Sequence, residues 1–396
     1  MAIKINNITV IDDGKNVNAG IVTATSFSGD GSSLTGIGIG TTSNINTTGI
    51  ITASTLQATS ALISPSGISS DRPIEVSPGS IRFNTEYNVP EVYDGTNWRE
   101  VTLVGVVINP TNVRGVFGGG NPGPSNVIDY ITIGSQSNAT DFGDLTVSRR
   151  ELAACSSSTR GVFGGGGPAP TNTIDYITIA SESNATDFGD LTVARFQLAA
   201  CSSSTRGVFG GGSATNTIDY ITIASESNAT DFGDLTGTTS QGAACSSSTR
   251  GVFGGVGPGT TNRIDYITIA SGSLAADFGD LTVAREALAA CSSSTRGVFG
   301  GGNNPSPLPG VTFNTIDYIT ITSQSDAIDF GDLTVGRSFL AACSSPTRGV
   351  FGGGGFPGIS VIDYITIASQ SNATDFGDLT VSRGDLAACS NGHGGL

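Results

Sequence analysis

One segment occurs six times in succession between residue 113 and residue 396, and this repetition constrains the fold more than any other feature. The copies share RGVFGGG, IDYITIAS, DFGDLTV and LAACSSS in that order. Successive copies lie 46, 44, 46, 52 and 46 residues apart, measured between Tyr130, Tyr176, Tyr220, Tyr266, Tyr318 and Tyr364. A period of about 40 to 50 residues is typical of propellers and other repeat arrays.

Each period contains four short apolar runs, rich in β-branched and aromatic residues and separated by Gly, Ser, Asn and Pro. Such runs predict four strands per repeat. We name them strand A (LAACSSS), strand B (RGVFGGG), strand C (IDYITIAS) and strand D (DFGDLTV). Six four-stranded units predict an all-β fold, with a six-bladed β-propeller over residues 113–396.

The repeats resemble the kelch family of propellers. A Gly-Gly doublet follows strand B in every copy, a Tyr lies on strand C, and an aromatic residue lies on strand D. That aromatic residue is Phe, where kelch blades usually have Trp, so the repeats are kelch-like. The doublets begin at Gly118, Gly164, Gly210, Gly254, Gly300 and Gly352, and the strand D residues are Phe142, Phe188, Phe232, Phe278, Phe330 and Phe376. The resemblance implies that strand A is innermost.

The order of the runs also predicts how the ring closes. The first copy starts at strand B, near residue 113, and the last copy ends with a sixth strand A at residues 386–390. This last strand A is therefore expected to pair with the first strand B and to complete the first blade. Closure removes an edge that would otherwise promote aggregation.

Charge and hydropathy exclude several classes of partner. The net charge is −15, and Lys4 and Lys15 are the only lysines. Bulk electrostatics therefore disfavours nucleic acid and anionic membranes. The chain has no apolar stretch of about 18 residues and no recognisable signal peptide, so we expect no membrane insertion.

Residues 1–112 differ in composition from the repeats. Residues 1–70 contain one Phe, Phe27, among Ser, Thr, Gly, Ile and Ala. Such a segment has too little apolar mass to form a core alone, so we expect it to associate with other copies of itself. The alternative is a flexible Ser/Thr/Gly linker. Residues 71–112 contain two phrases that predict a β-hairpin module with Trp98, the only Trp, in its core.

These N-terminal phrases resemble the fibre and appendage proteins of tailed phages, especially phages of marine cyanobacteria. The matching phrases are MAIKINNITVIDDG, GIVTATSFSGDGSSLTGI, GSIRFNT and PEVYDGTNW. The resemblance implies a virion protein that is made in the host cytoplasm. It also implies a homotrimeric shaft in residues 1–70 that attaches to other virion structural proteins.

The repeated polar residues give no sign of catalysis. His393 is the only His, so a Ser-His-Asp triad or a two-histidine metal site has little to use. The Asp pairs of strand D, such as Asp141 and Asp144, recur six times, whereas an active site is usually built once. We expect them to cap turns, with a Ca²⁺ site as the alternative. The sequence thus predicts no enzyme, no cofactor and no metal.

The cysteines occupy one equivalent position on strand A of every copy. Equivalent positions of neighbouring blades should be farther apart than the roughly 7 Å between Cα atoms that a disulfide spans. We therefore expect buried free thiols, as in proteins made in a reducing cytoplasm. A thiolate metal ring is the alternative.

The loops in which the copies differ indicate where a partner binds. The A–B and C–D turns barely change, whereas the B–C and D–A loops vary greatly. In an antiparallel meander both variable sets lie at the same end of the ring, and loops on a rigid scaffold often carry recognition. The candidate binding residues are Arg149, Arg150, Arg195, Phe196, Arg285, Phe313, Arg337, Phe339, Phe356 and Arg383. The phenylalanines would suit sugar or protein contacts, and the arginines would suit anionic groups.

Together these features predict a virion appendage protein whose propeller presents a recognition face to a glycan or protein of the host surface. One alternative is a purely structural decoration of the head, neck or tail. Another is a polysaccharide-degrading enzyme, which an acidic pair beside an Arg or Tyr in a deep groove of the variable face would favour.

Overall fold

The structure is a computed structural model that describes residues 3–5, 8–11, 66–73, 76–85, 89–100, 113–257, 259–306 and 310–396. The chain divides into two compact units, Met1–Val101 and Thr102–Leu396. No helix of the described residues is long and apolar enough to cross a membrane.

The first unit contains a short β-ribbon and a small sheet. Strands Ile3–Ile5 and Ile8–Ile11 pair antiparallel. Most of the shaft expected in residues 1–70 lies outside the described residues. A four-stranded sheet follows, with a 3₁₀ turn between its first two strands; its elements are Ser66–Gly67, Ser69–Asp71, Ile81–Asn84, Val89–Tyr93 and Trp98–Glu100.

This sheet is larger than the predicted hairpin. Its last three strands form an antiparallel meander, and its first strand pairs parallel to the second. Trp98 is half-buried, with its ring 5.5 Å from that of Tyr93. Glu91 is fully buried and accepts hydrogen bonds from Asn84, at 2.8 Å, and from Arg72. The module is thus held by a buried polar cluster as well as by its aromatic residues.

The second unit contains six four-stranded antiparallel sheets, each with its strands in the order A, B, C, D. The sheets are consistent with propeller blades, and we number them blades 1 to 6 along the chain. Strand A spans Ala387–Ser390 in blade 1 and then Ala153–Ser156, Ala199–Ser202, Ala243–Ser246, Ala289–Ser292 and Ala341–Ser344. Strand B spans Arg114–Gly118, Arg160–Gly164, Arg206–Gly210, Arg250–Gly254, Arg296–Gly300 and Arg348–Gly352.

The outer two strands vary more in length. Strand C spans Ser125–Thr132, Thr171–Thr178, Thr215–Thr222, Arg263–Thr268, Thr315–Thr320 and Val361–Thr366. Strand D spans Thr140–Arg149, Thr186–Arg195, Thr230–Thr239, Ala276–Asp280, Ile328–Asp332 and Thr374–Asp378. The long B–C loop of blade 5 adds a small ribbon of Asn303–Asn304 and Val311–Thr312.

The ring closes as the sequence predicts. Strand A of blade 1 comes from the end of the repeat region and pairs with the first strand B, with Cys389 opposite Val116. Each strand A lies beside the strands A of both neighbouring blades, including blade 1 beside blades 2 and 6. The six inner strands therefore form a complete circle.

The hydrophobic core lies between blades. Each of its six clusters takes residues from two neighbouring blades; one combines Val162, Ile174 and Phe188 of blade 2 with Phe209 and Ile221 of blade 3. The first glycine of each doublet makes this packing possible. A Cβ on Gly164 would lie 2.6 Å from the ring of Phe209. The repeated GVFGG phrase thus encodes the contact from one blade to the next.

Aromatic residues also connect the outer strands within each blade. In blade 1, Tyr130 of strand C meets Phe142 of strand D edge to face, with ring centroids 5.9 Å apart. The guanidinium of Arg114 lies over the same Tyr ring at 4.4 Å. Every blade repeats this stack of Arg, Tyr and Phe. The Phe of strand D therefore makes the same edge-to-face contact with the Tyr of strand C in all six sheets.

Deletion of residues 386–396 should strongly destabilise the ring. The deletion removes the partner strand of blade 1 and the buried Leu386, Ala387 and Cys389. Truncation of a single buried Leu costs about 2–5 kcal/mol, so the loss of a whole strand should cost more. Thermal unfolding followed by circular dichroism measures the effect. Deletion of residues 391–396 alone, which keeps the strand, is the matched control, and equal melting of the two deletions would contradict closure by pairing.

Candidate functional site

The variable loops meet at one end of the ring. The D–A loop of one blade pairs with the B–C loop of the next at Arg150 and Gly167, and again at Glu286 and Asn303. We call this end the variable face. At the other end Arg114 donates to Glu182, in the C–D turn of blade 2, at 3.1 Å. This second end carries the A–B and C–D turns, and we call it the uniform face.

Five of the candidate binding residues are buried, which corrects the sequence interpretation. Arg149, Arg195, Arg285, Arg337 and Arg383 are 0–2 % exposed. Each forms an ion pair with the Asp of strand C in the next blade, at 2.7–3.0 Å. They hold neighbouring blades together and do not reach a ligand on the surface. The sequence interpretation failed because it inferred exposure from proximity to a variable loop.

The Asp partners of these arginines lie in the middle of the apolar strand C and are fully buried. Asp175 of blade 2 accepts hydrogen bonds from Arg149 at 2.7 Å and from the Thr146 hydroxyl at 2.5 Å, both of blade 1. A buried charge is costly unless it is paired and hydrogen-bonded. Here the Arg pairs with the carboxylate, and the Thr hydroxyl adds a hydrogen bond to it. Burial raises the pKa of the equivalent Asp129, against the attraction of Arg383.

The interface between blades 3 and 4 lacks this arginine. Thr239 stands in its place, and its hydroxyl donates to the Gly255 carbonyl at 3.0 Å. Arg263 supplies the positive charge instead, from strand C, with its Nε 3.5 Å from Asp265. Its guanidinium lies where a side chain at Gly237 would be, since a Cβ there would be 2.6 Å from Nη2. The charge has thus moved from one strand to another.

The remaining candidate residues differ in exposure. Phe356, in the B–C loop of blade 6, is 85 % exposed. Phe196, Phe313 and Phe339 are half-buried, as is Arg150, whose guanidinium lies 3.4 Å from the Asn121 amide oxygen. Phe356 therefore matches the predicted surface contact best, whereas the three other phenylalanines and Arg150 expose only part of their side chains to solvent.

A ring of six residues surrounds the centre of the variable face. One residue of each D–A loop has a left-handed backbone with φ between 53° and 61°: Glu151, Gln197, Gln241, Ala287, Phe339 and Asp385. The amide N–H of each donates to the carbonyl of the equivalent residue in the preceding blade, at 2.8–2.9 Å. These six hydrogen bonds close on themselves and fix the shape of the central mouth.

An acidic pair lies in this ring. Burial and the neighbouring Glu151 raise the pKa of Asp385 to about 6. Asp385 lies within 3.4 Å of the Asn121 amide, and Glu151 accepts from Gln197 at 3.1 Å. The cavity at this mouth is about 70 Å³, whereas ligand pockets are about 300–1,000 Å³. The pair therefore lies at a small opening and not in a deep groove of the described residues.

The opposite mouth of the channel is closed by serines and by the C-terminal tail. The last Ser of each strand A donates its hydroxyl to the equivalent carbonyl of the preceding blade, at 2.5–2.8 Å, again in a closed ring. His393 enters this ring, with Nε2 3.0 Å from the Ser156 carbonyl oxygen. Burial lowers the pKa of His393 to about 4, so the imidazole is neutral near pH 7.

All six cysteines are free and buried, as predicted. They line a cavity of about 50 Å³ with the neighbouring Ala and Ser of strand A. Each sulfur packs on the strand B glycine of the next blade; a Cβ on Gly207 would lie 2.6 Å from the Cys155 sulfur. Burial raises the pKa of Cys245 to about 12, so this thiol stays protonated.

The Asp pairs lie within strand D, where Asp141 is exposed and Asp144 is half-buried. The Asp144 amide donates to the Asn184 side chain at 3.1 Å, and the Ala185 amide donates to the Asp144 carbonyl at 2.7 Å. The Asn of the next blade thus provides the side-chain contact that was expected from the Asp carboxylates. Among the described residues, no group of three or more His, Cys, Asp or Glu is arranged to hold a metal ion.

In comparisons with known proteins, no family model and no curated protein matches the chain. The architecture and the division between the two faces therefore rest on the chain's own geometry.

Replacement of Arg149 by Ala should destabilise the ring by about 3–5 kcal/mol, because it leaves the buried Asp175 carboxylate without its partner. Chemical denaturation monitored by fluorescence gives the change in the free energy of unfolding. Arg150→Ala is the matched control, since this adjacent side chain is half-buried and pairs with no carboxylate among the described residues. A similar, small effect of both substitutions would show that the buried ion pair is not needed.

Proposed function

We propose that the protein is a virion appendage protein whose repeat ring presents its variable face to the host cell surface. The observation that carries the proposal is that the six near-identical blades differ most in the loops of one end, whereas the turns of the other end change at few positions. The loops at that end rest on a framework of inter-blade ion pairs and backbone hydrogen bonds. Drift alone would be expected to alter the turns of both ends to a similar extent.

The surface chemistry of the variable face suits recognition of a glycan or protein. Phe356 exposes 85 % of its surface on the B–C loop of blade 6. Exposed aromatic residues are common anchors in interfaces, because they bury a large area at low cost in conformational entropy. The uniform face has its central opening covered by the tail around His393, so the variable face is the end with an open mouth.

The virion assignment rests on the N-terminal phrases that resemble phage fibre and appendage proteins. In this proposal, residues 1–70 associate as a trimer and attach to other structural proteins of the particle. Three tethered rings would raise the overall affinity by roughly 10² to 10⁴ when single contacts are weak. Recognition by such a protein requires binding alone, with no chemical step.

Phe356→Ala should reduce adsorption of the labelled full-length chain to marine cyanobacterial cells by about tenfold or more, because it removes an exposed aromatic anchor. The control is Leu274→Ala, which removes a side chain that is 71 % exposed in a C–D turn of the uniform face. This control should leave adsorption unchanged. Equal effects of the two substitutions would contradict a recognition face. Absence of adsorption by the unaltered chain would favour a purely structural decoration.

The full-length chain should have a native mass of three chains. Residues 1–70 have too little apolar mass to fold alone, and the resemblance to phage fibre proteins implies that three copies associate. Native mass spectrometry measures this directly. A chain of residues 113–396 should give the mass of a single chain, because the core of the ring is its own. A single-chain mass for the full-length chain would contradict the proposed trimer. It would not bear on the recognition face, which the adsorption experiment tests.

A further inference from the structure

The repeat pattern is broken at one place, the D–A segment of blade 3. Gly237, Thr239 and Gly242 stand where all five other copies have Val, Arg and Leu, respectively. The equivalent Arg and Leu are buried in the other copies, whereas the equivalent Val is 49–55 % exposed in four of them. The changes therefore replace two buried side chains and one surface side chain by smaller residues. Cavities in a close-packed interior are usually costly. Two hydroxyls of blade 3 nevertheless donate across the interface to blade 4, Thr239 to the Gly255 carbonyl at 3.0 Å and Thr236 to Asp265 at 2.7 Å. The interface thus remains linked while it loses side-chain volume.

A crevice of about 300 Å³ lies at this place on the variable face. Its walls come from blades 2, 3 and 4. The B–C loop of blade 3 is the shortest of the six, and it turns sharply through Ser213 and Ala214, which have φ of 51° and 58°. The crevice is about four times the volume of the central mouth and falls in the range of small-molecule sites.

The lining is polar and almost neutral. It includes Gln197, Thr238, Thr239, Ser240, Gln241 and Glu286. Glu286 is the one ionisable group among the described lining residues, and it is half-buried. The Ser240 hydroxyl oxygen accepts from the Ala214 amide at 2.8 Å, which fixes this side chain in the wall. Amides, hydroxyls and one carboxyl therefore offer both donors and acceptors.

We propose that this crevice binds a single neutral sugar unit of a surface glycan. The inference rests on the proposed function and names the ligand class of its recognition face. A pyranose ring presents several hydroxyls that both donate and accept hydrogen bonds, which matches the lining. An anionic ligand is disfavoured, because no cationic side chain is among the described lining residues and the chain carries a net charge of −15.

Two substitutions on opposite walls test the site. Ser240→Phe places in blade 3 the residue that blade 2 carries at the equivalent position, Phe196, and should obstruct the crevice. Glu286→Ala removes the carboxyl from the other wall. The matched control is Ser181→Phe, which introduces the same side chain at an exposed position in the C–D turn of blade 2, on the uniform face. Thermal melting of each variant verifies that the ring is folded.

Saturation-transfer NMR on the full-length chain measures binding of glucose, galactose, mannose, N-acetylglucosamine and galacturonic acid. At least one neutral sugar should bind. Ser240→Phe and Glu286→Ala should each weaken this binding by about tenfold or more, and Ser181→Phe should leave it unchanged. The proposal is overturned if no neutral sugar binds, if galacturonic acid binds best, or if neither wall substitution weakens binding.

Cell adsorption of the same variants separates this inference from the proposed function. If the chain adsorbs to cells through Phe356 but binds none of the neutral sugars, the proposal of a sugar site in the crevice is wrong. The proposed recognition face is then still supported. A chain that binds a neutral sugar in the crevice but does not adsorb to cells supports the crevice and removes the host-surface role.

Discussion

The contact between successive blades is the interaction on which the rest of the structure depends. At each interface a strand B Phe packs on a Gly of the preceding blade, and a Cys sulfur packs on a Gly of the following one. Each hydrophobic cluster draws on two blades, so no blade has a complete core of its own. An open array would leave one such face exposed at each end, and burial of that apolar surface favours the closed ring.

Buried polar groups give the same interfaces their specificity. Apolar packing is tolerant of small shifts, whereas an Asp in the middle of strand C requires its Arg and Thr partners at defined positions. The change between blades 3 and 4 supports this account. There the Arg of strand D is lost, Arg263 appears on strand C, and Gly237 leaves room for it. The charge balance of the interface is kept although its geometry changes.

Much of this architecture can be predicted from the sequence, because each strand pattern occurs in six copies that can be compared with one another. The strand order and the closure of blade 1 by the last strand A follow from the order of the repeated runs. The free thiols follow from one equivalent cysteine per blade, and the two faces follow from the antiparallel order of the strands. The burial of Arg149 and its equivalents does not follow, since a residue beside a loop can point inward. The buried Asp of IDYIT was the missed signal: a charge within an apolar strand needs a partner, and the copy that lacks the Arg gains Arg263.

Hydrogen–deuterium exchange of the full-length chain, with and without the surface polysaccharide of marine cyanobacterial cells, tests the central claim most directly. The account predicts slower exchange on binding in the B–C and D–A loops, with the A–B and C–D turns unchanged. Protection of the A–B and C–D turns, with the variable loops unaffected, would contradict the claim that one face of this ring is built for recognition.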